Sequence, residues 1–386
     1  MTEAPAGELS METQAKSYPP FRAEHVGSLL RPQALKTTAK AYQSGEVSDE
    51  EYLAVLDQEV ARVVGLQESV GLQSITDGEF GKTSWFGFFF ERLEGFGLKE
   101  SLFDFHDVEG EDHGWMTCYT SAKMNRRQAI CVDEFERLGR LTTETPKVNI
   151  PSPSALHFFR GDRCRDEAVY PDIDEWWDDL VGIYQAELQA LGDVGCRYLQ
   201  LDEVPLALLC DQTIQAQVRG MGLDPGQLVE RYIVTVNRVL ESRPAGMTVG
   251  VHLCRGNFRS RWMGQGGYDP VAEQLFNDLD VDVFFLEYDT SRAGDFTPLE
   301  SVPDDKSVVL GLVTTKSPVL EDADALKRRI DEACRYVPLE RLALSPQCGF
   351  ASVAGGNPLT EDEQRAKLEL IVGVAQDVWG RRDESV

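Results

Sequence analysis

Long apolar runs are missing from this chain. No stretch approaches the roughly 18 residues that cross a bilayer, which removes the transmembrane-helix class. The opening MTEAPAGELSMETQAKSYPP lacks the apolar core of a signal peptide and reads as a polar, disordered leader over residues 1–18, with a cytoplasmic location as the default. Basic residues are scarce: lysine and arginine number 38 against 65 acids, a formal net charge of −27 that repels nucleic acid and anionic membrane surfaces at long range. The eight cysteines include no CxxC pair and no dense framework, so free or metal-bound thiols are expected rather than disulfides. No GxGxxG follows the first apolar run, which argues against a dinucleotide-binding sheet. No internal repeat or low-complexity tract supports a scaffold role, and the sequence is silent on oligomeric state.

What is present is a regular alternation. Short apolar and β-branched runs at 23–29, 74–80, 147–153, 197–204, 247–256, 281–290, 307–316 and 342–350 read as eight strands. Helical periodicity separates most of them, at 49–70, 174–191, 224–240 and 321–336, with a further helix at 360–378. Ser48-x-x-Glu51 and Thr360-x-x-Glu363 have capping-box spacing. Strands alternating with helices pair in parallel, and eight such units predict an α/β fold, a closed (β/α)8 TIM barrel over residues 19–386. Residues 81–146 are too long for a simple helical return and are rich in aromatics and acids (SWFGFFFERLEGFG, then FDFHDVEGEDHGWM). They read as an insertion after strand two, an excursion over the barrel mouth. Its aromatic cluster from Trp85 to Phe90 suits lid or core packing, with Trp85 also a substrate-binding candidate.

Barrel chemistry collects at the C-terminal ends of the strands. Strand one ends in His25-Val26-Gly27-Ser28, strand two in Asp77-Gly78-Glu79, strand four in Asp202-Glu203, strand five in His252-x-Cys254, strand six in Glu287-Tyr288-Asp289, strand seven in Thr314-Thr315-Lys316 and strand eight in Gln347-Cys348-Gly349. Period-two alternation points His252 and Cys254 to one face. A lone His-x-Cys is usually structural. Joined by Glu287 and Cys348 from strands six and eight, it becomes a tetrahedral set of imidazole, two thiolates and a carboxylate, for which zinc is the fitting ion.

Together VHLCRGN, LEYD, SPQCGF, QLDE, TDGEF and EHVGSLLRP resemble the catalytic barrel of cobalamin-independent methionine synthase, and most closely its short single-barrel relatives. The likeness runs from about Phe21 to Gly380. It implies a zinc site at His252, Cys254, Glu287 and Cys348 that binds a substrate thiol, and a homocysteine site in which Val26-Gly27-Ser28 hold the carboxylate while Glu79 and Asp202 hold the ammonium. His25 and Arg255 join the substrate-binding candidates, Arg255 with Arg259 and Arg261 as cations for a polyglutamate tail. Two departures bear on the methyl donor. The histidine expected before the Ser-Pro pair on strand seven is Lys316 here, and the arginine expected after DGEF is replaced by Gly81-Lys82.

The ligand set has its own chemistry. Two thiolates and a carboxylate give −3 against +2, a net −1 that makes a poor Lewis acid for water, unlike the three-histidine sites of hydrolases. Such a centre instead ionises an incoming thiol, whose free pKa of about 8.5 leaves a few per cent thiolate at neutral pH. A methylated amine must be protonated before it leaves, which makes Asp202 and Glu203 the catalytic candidates for a general acid, with Glu79 and Asp289 beside them. The expected activity is therefore methyl transfer to the thiol of homocysteine, giving methionine, from 5-methyltetrahydropteroyltriglutamate or another methyl donor. The alternatives are a zinc alkyl transferase of the epoxyalkane–coenzyme M type and a non-catalytic zinc-binding barrel.

Overall fold

The computed structural model describes residues 19–106 and 111–381; the leader expected over 1–18 lies outside the described residues. Six parallel strands form one sheet in chain order: strand three Val148–Pro151, four Tyr198–Asp202, five Thr248–Leu253, six Val283–Glu287, seven Ser307–Val313 and eight Leu342–Pro346. Strands four, six and eight are buried at every residue, as their unbroken apolar character requires in a sheet covered on both faces. Strand two, Ser74–Ile75, pairs in parallel with Thr145–Pro146, which leads straight into strand three. The Lys147 N–H continues that ladder by donating to the Ile75 carbonyl at 2.8 Å. Ala23 supplies strand one through a single parallel bridge to Leu344, flanked by Glu24 N–H to Leu344 O at 2.8 Å and Leu344 N–H to Arg22 O at 2.9 Å. These pairings close the sheet into the (β/α)8 barrel.

Strands one and two are far shorter than their apolar runs predict. Gly27 at φ 136°, Gly78 at φ 71° and Glu79 at φ 59° turn the chain out of extended geometry just where the runs continue. A β-carbon on Gly27 would sit 2.3 Å from the Asn149 amide, so the turn there also demands the absence of a side chain. One backbone bond, Leu29 N–H to the Gly78 carbonyl at 3.0 Å, remains between the two runs, and side chains close the rest of the seam. The Ser74 hydroxyl donates to Glu24 Oε2 at 2.6 Å, the Thr76 hydroxyl donates to the Gly27 carbonyl at 2.7 Å, and His25 Nε2 meets the Ser74 carbonyl at 3.0 Å.

Helices Asp49–Val70, Ile173–Asp193, Pro225–Leu240, Ala323–Ala333 and Glu361–Trp379 surround the sheet close to their expected positions, and both capping boxes form. The barrel interior is unusual. Tyr198, Val283, Phe285, Val309 and Ala343 form a small cluster of their own, and beside it Lys147 and Glu24 are buried as an ion pair at 3.4 Å. The Lys147 ammonium lies over the Tyr198 and Phe285 rings, and Glu24 Oε1 accepts from the Tyr198 hydroxyl at 3.0 Å.

Residues 81–146 hold a short helix, Gly87–Glu91, an antiparallel hairpin of Glu94–Glu100 with Met116–Asn125, and a return helix, Val132–Gly139. Two bonds between His106 and Trp262 tie this excursion to the loop after strand five. Buried Glu187 fastens its other end, accepting the Ile130 and Cys131 N–H groups at 2.8 and 2.7 Å and pairing with Arg126.

Candidate metal centre and substrate pocket

Parallel register sets the rim. Asp202 lies opposite His252, and His252 opposite Phe285, so Glu287 projects one layer above Phe285 and Cys254 one layer above His252. Strand eight's loop brings Cys348 to the same height. The ligand atoms of His252, Cys254 and Cys348 lie within 4.8 Å of one another, all buried. The two sulfurs are 3.8 Å apart. Two Zn–S bonds of about 2.3 Å at the tetrahedral angle require about that separation. Neither ring nitrogen of His252 has a hydrogen-bond partner, a costly state for a buried imidazole unless a ligand completes it.

Contact with the Cys254 thiol holds the Cys348 sulfur well below the ordinary thiol range, with His252 and Lys316 adding to the effect against the pull of burial. The same contact, then burial, pushes Cys254 well above that range. Among the described residues Glu287 stands outside the group of three. Its Oε2 accepts the Arg255 N–H at 2.8 Å and its Oε1 the Arg292 guanidinium at 2.8 Å. Burial works against its charge, yet Lys316, Arg255 and Arg292 hold the carboxyl at about 2. It is therefore a carboxylate with a spare lone pair on each oxygen. The Lys316 ammonium itself is solvent-excluded and has no hydrogen-bond partner.

Beside the sulfurs lies a pocket of about 540 Å³, part of it open to solvent. Val26, Ser28, Glu79, Trp85, Asp202, His252, Cys254 and Cys348 line it. The Ser28 hydroxyl faces the Ala351 N–H at 3.4 Å, and the Phe350 N–H donates to the Ser28 carbonyl at 2.9 Å, which stitches the strand-one loop to strand eight. Burial pushes Glu79 up to about 8 against the influence of Lys82, with Asp202 adding to the rise, and Glu79 Oε2 has no partner. Burial likewise raises Asp202 to about 6, opposed by His252 and by the Gln200 amide, which donates to Asp202 Oδ1 at 2.8 Å.

Several expected participants do not line the pocket, Asp289, Arg259 and Arg261 among them. His25 is buried in the seam, bonded to Ser74 O and pushed down to about 3 by burial and by Lys147, so it is a neutral structural imidazole. Gly27 acts through its turn alone. Arg255 is fully buried, with its guanidinium donating to Gly266 O at 2.7 Å and to the Tyr268 hydroxyl at 3.2 Å. That arginine binds the loops after strands five and six together and is not available to a substrate tail; Arg259 is exposed, outside the residues that line the pocket. Glu203 caps helix Val204–Leu208 by accepting the Leu206 N–H at 3.0 Å, and it also accepts the Ser154 hydroxyl. Its acid is spent on the fold.

Phe105, Trp115, Phe159, Asn257, Met263 and Ser352 line the pocket without having stood out in the sequence as participants. Asn257 closes the HLCRGN stretch and donates to the Gly349 carbonyl at 2.9 Å, joining loops five and eight. Phe105 and Trp115 flank the acidic tract of the excursion; Phe159 carries no motif at all. Lys82, one of the two departures, is buried against Glu134 at 3.1 Å and donates to the Asn149 carbonyl at 2.8 Å.

A closed (β/α)8 barrel with a histidine and two cysteines gathered at its C-terminal rim defines the class: a barrel enzyme of thiol chemistry. The chain belongs to the cobalamin-independent synthase catalytic domain family, whose model matches residues 21–377. This is a family of methionine synthase-like methyltransferases, as the sequence motifs led us to expect. The chain is 39% identical to the uncharacterized Bacillus subtilis protein YxjH over 95% of its own length and 97% of that protein's. It is similar in structure, with a TM-score of 0.72 and 34% identity over 94% of this chain and 99% of the other, to a Listeria monocytogenes protein provisionally assigned as a vitamin-B12-independent methionine synthase. It is 22% identical to the 5-methyltetrahydropteroyltriglutamate–homocysteine methyltransferase of Bacillus licheniformis over 98% of this chain, which spans 45% of that longer protein. Among the described residues no helix is long and apolar enough to cross a membrane.

Proposed function

We propose that the protein is a zinc-dependent S-methyltransferase that moves a methyl group onto the thiol of homocysteine, giving methionine. The observation that carries this reading is the pair of sulfurs 3.8 Å apart beside an imidazole with both nitrogens unpartnered, at the floor of a pocket lined by two carboxyl groups. His252, Cys254 and Cys348 would hold the ion, with the ionised Glu287 as the fourth ligand. When bound, zinc in this electron-rich set supplies ionisation of a substrate thiol while leaving its sulfur nucleophilic.

The remaining work falls to the pocket. Glu79 and Asp202 present two carboxyl groups to the substrate, and an ammonium arriving between them draws Glu79 into its carboxylate form, which favours an amino-acid thiol over a sulfonate such as coenzyme M. The Ser28 hydroxyl and the turn at Gly27 suit a carboxylate. Arg292 and Arg255 orient Glu287, and Arg292 lies over the Trp262 ring at 5.0 Å, so the carboxylate is held before any ion binds. Trp85 and the rings beside it exclude water. We assign the methyl donor no general acid at Glu203, whose two oxygens are committed to the fold, and keep Asp202 and Glu79 as the acids within reach.

Cys348→Ser tests the reading. The variant is expected to lose zinc retention on dialysis and to lower homocysteine methylation by at least 1000-fold, on the order of 4 kcal/mol in transition-state stabilisation. A metal-free Cys348→Ser protein of full activity would sink it.

A further inference from the structure

We propose that the aromatic end of the pocket takes the methyl donor as a small onium cation, a methylsulfonium or methylated ammonium group; the proposal rests on the homocysteine reading above and names its second substrate. Four rings, Trp85, Phe105, Trp115 and Phe159, line the same space as Cys254 and Cys348. Their planes cross. Trp115 meets Phe159 edge-on at 4.7 Å and 79°, and meets Phe105 at 5.6 Å and 56°. Rings packed at such angles present both faces and edges to the space they line, and a ring face attracts a compact cation.

The polar lining points the same way. Among the described residues no lysine or arginine lines the pocket, whereas the carboxyl groups of Glu79 and Asp202 do, and Glu79 is 3% exposed with an unpartnered Oε2. A polyglutamate donor is a polyanion that needs cations, and of the three arginines after strand five Arg255 is consumed by the loops and neither Arg259 nor Arg261 lines the pocket. An onium also removes the need for a general acid, because its leaving group is already positive. The sulfur lone pair of homocysteine forms the new S–C bond to the methyl carbon as the C–S⁺ or C–N⁺ bond breaks. That bond's electron pair stays on the departing sulfide or amine, which leaves neutral, and the thiol proton has already passed to solvent on ionisation.

The test is calorimetric titration of the zinc-loaded protein with choline and with its uncharged carbon analogue, in which carbon replaces the quaternary nitrogen. Choline is expected to bind about tenfold tighter, a preference retained in Trp115→Phe and reduced to within about twofold in Trp115→Leu. With homocysteine added, deuterated trimethylsulfonium is expected to give labelled methionine and dimethyl sulfide, and tetramethylammonium run in parallel distinguishes the two onium sources. Equal affinity for choline and its carbon analogue, or methyl transfer from methyl-folate and from neither onium, would overturn the proposal. A cation preference in a protein whose zinc gains no sulfur from homocysteine would instead remove the homocysteine reading and leave the onium subsite standing.

Discussion

At the scale of single residues, the pocket depends on carboxyl groups held away from water. Glu79 sits at φ 59°, which places its side chain over the sulfurs' pocket but leaves its carboxyl buried and raised to about 8. In the free protein Glu79 is thus protonated below pH 8, and an ammonium ligand binds its carboxylate form, so ligand binding expels a proton there. The sign follows: homocysteine affinity is expected to fall as pH drops below 8 by about tenfold per unit from Glu79, on top of the tenfold per unit that ionising the thiol itself requires. Glu79→Gln is expected to lower that slope by about one unit, leaving the thiol's share, and to weaken binding at pH 9, read from the pH dependence of KM. A slope unchanged in Glu79→Gln would place the proton elsewhere. Side-chain chemistry at the rim was legible in the sequence because thiol, imidazole and acid recur at strand ends. Whether a charged group faces substrate or fold was not. Arg255 and Glu203 read as functional from position, and only packing reveals that each is consumed by hydrogen bonds to neighbouring loops.

At the scale of elements, strands three to eight follow from apolar runs bounded by turn residues, and the helices from their periodicity and caps. Strands one and two defeat that logic. Their apolar runs continue, but positive φ at Gly27, Gly78 and Glu79 ends the ladder, and nothing in the apolar pattern distinguishes a strand from a strand cut short. What replaces the missing ladder is polar and lies inside the barrel, centred on Lys147 and Glu24. Lys147→Met would leave the Glu24 carboxylate buried with only neutral donors, and is expected to cost roughly 3–5 kcal/mol in urea unfolding. Adding Glu24→Gln to that variant is expected to restore part of the loss. A single variant within about 1 kcal/mol of the parent would show that the seam does not need its ion pair. The return helix Val132–Gly139 was hidden for another reason: it follows a hairpin that belongs to no barrel repeat, so the spacing of repeats gives no cue to it.

At the scale of the whole molecule, barrel closure turns residues spread over more than 320 positions, from Val26 to Ser352, into one small pocket, and the excursion brings Phe105 and Trp115 to the same space. Among the described residues the pocket is lined by two carboxyl groups and by no basic side chain other than His252. These features converge on one central claim, that the metal held by His252, Cys254 and Cys348 takes up a substrate thiol. X-ray absorption at the zinc edge, recorded with the protein alone, with homocysteine and with coenzyme M, tests it most directly. The account predicts one additional sulfur neighbour at about 2.3 Å with homocysteine and none with coenzyme M. An edge unchanged by either thiol would mean a closed structural site and would contradict the account.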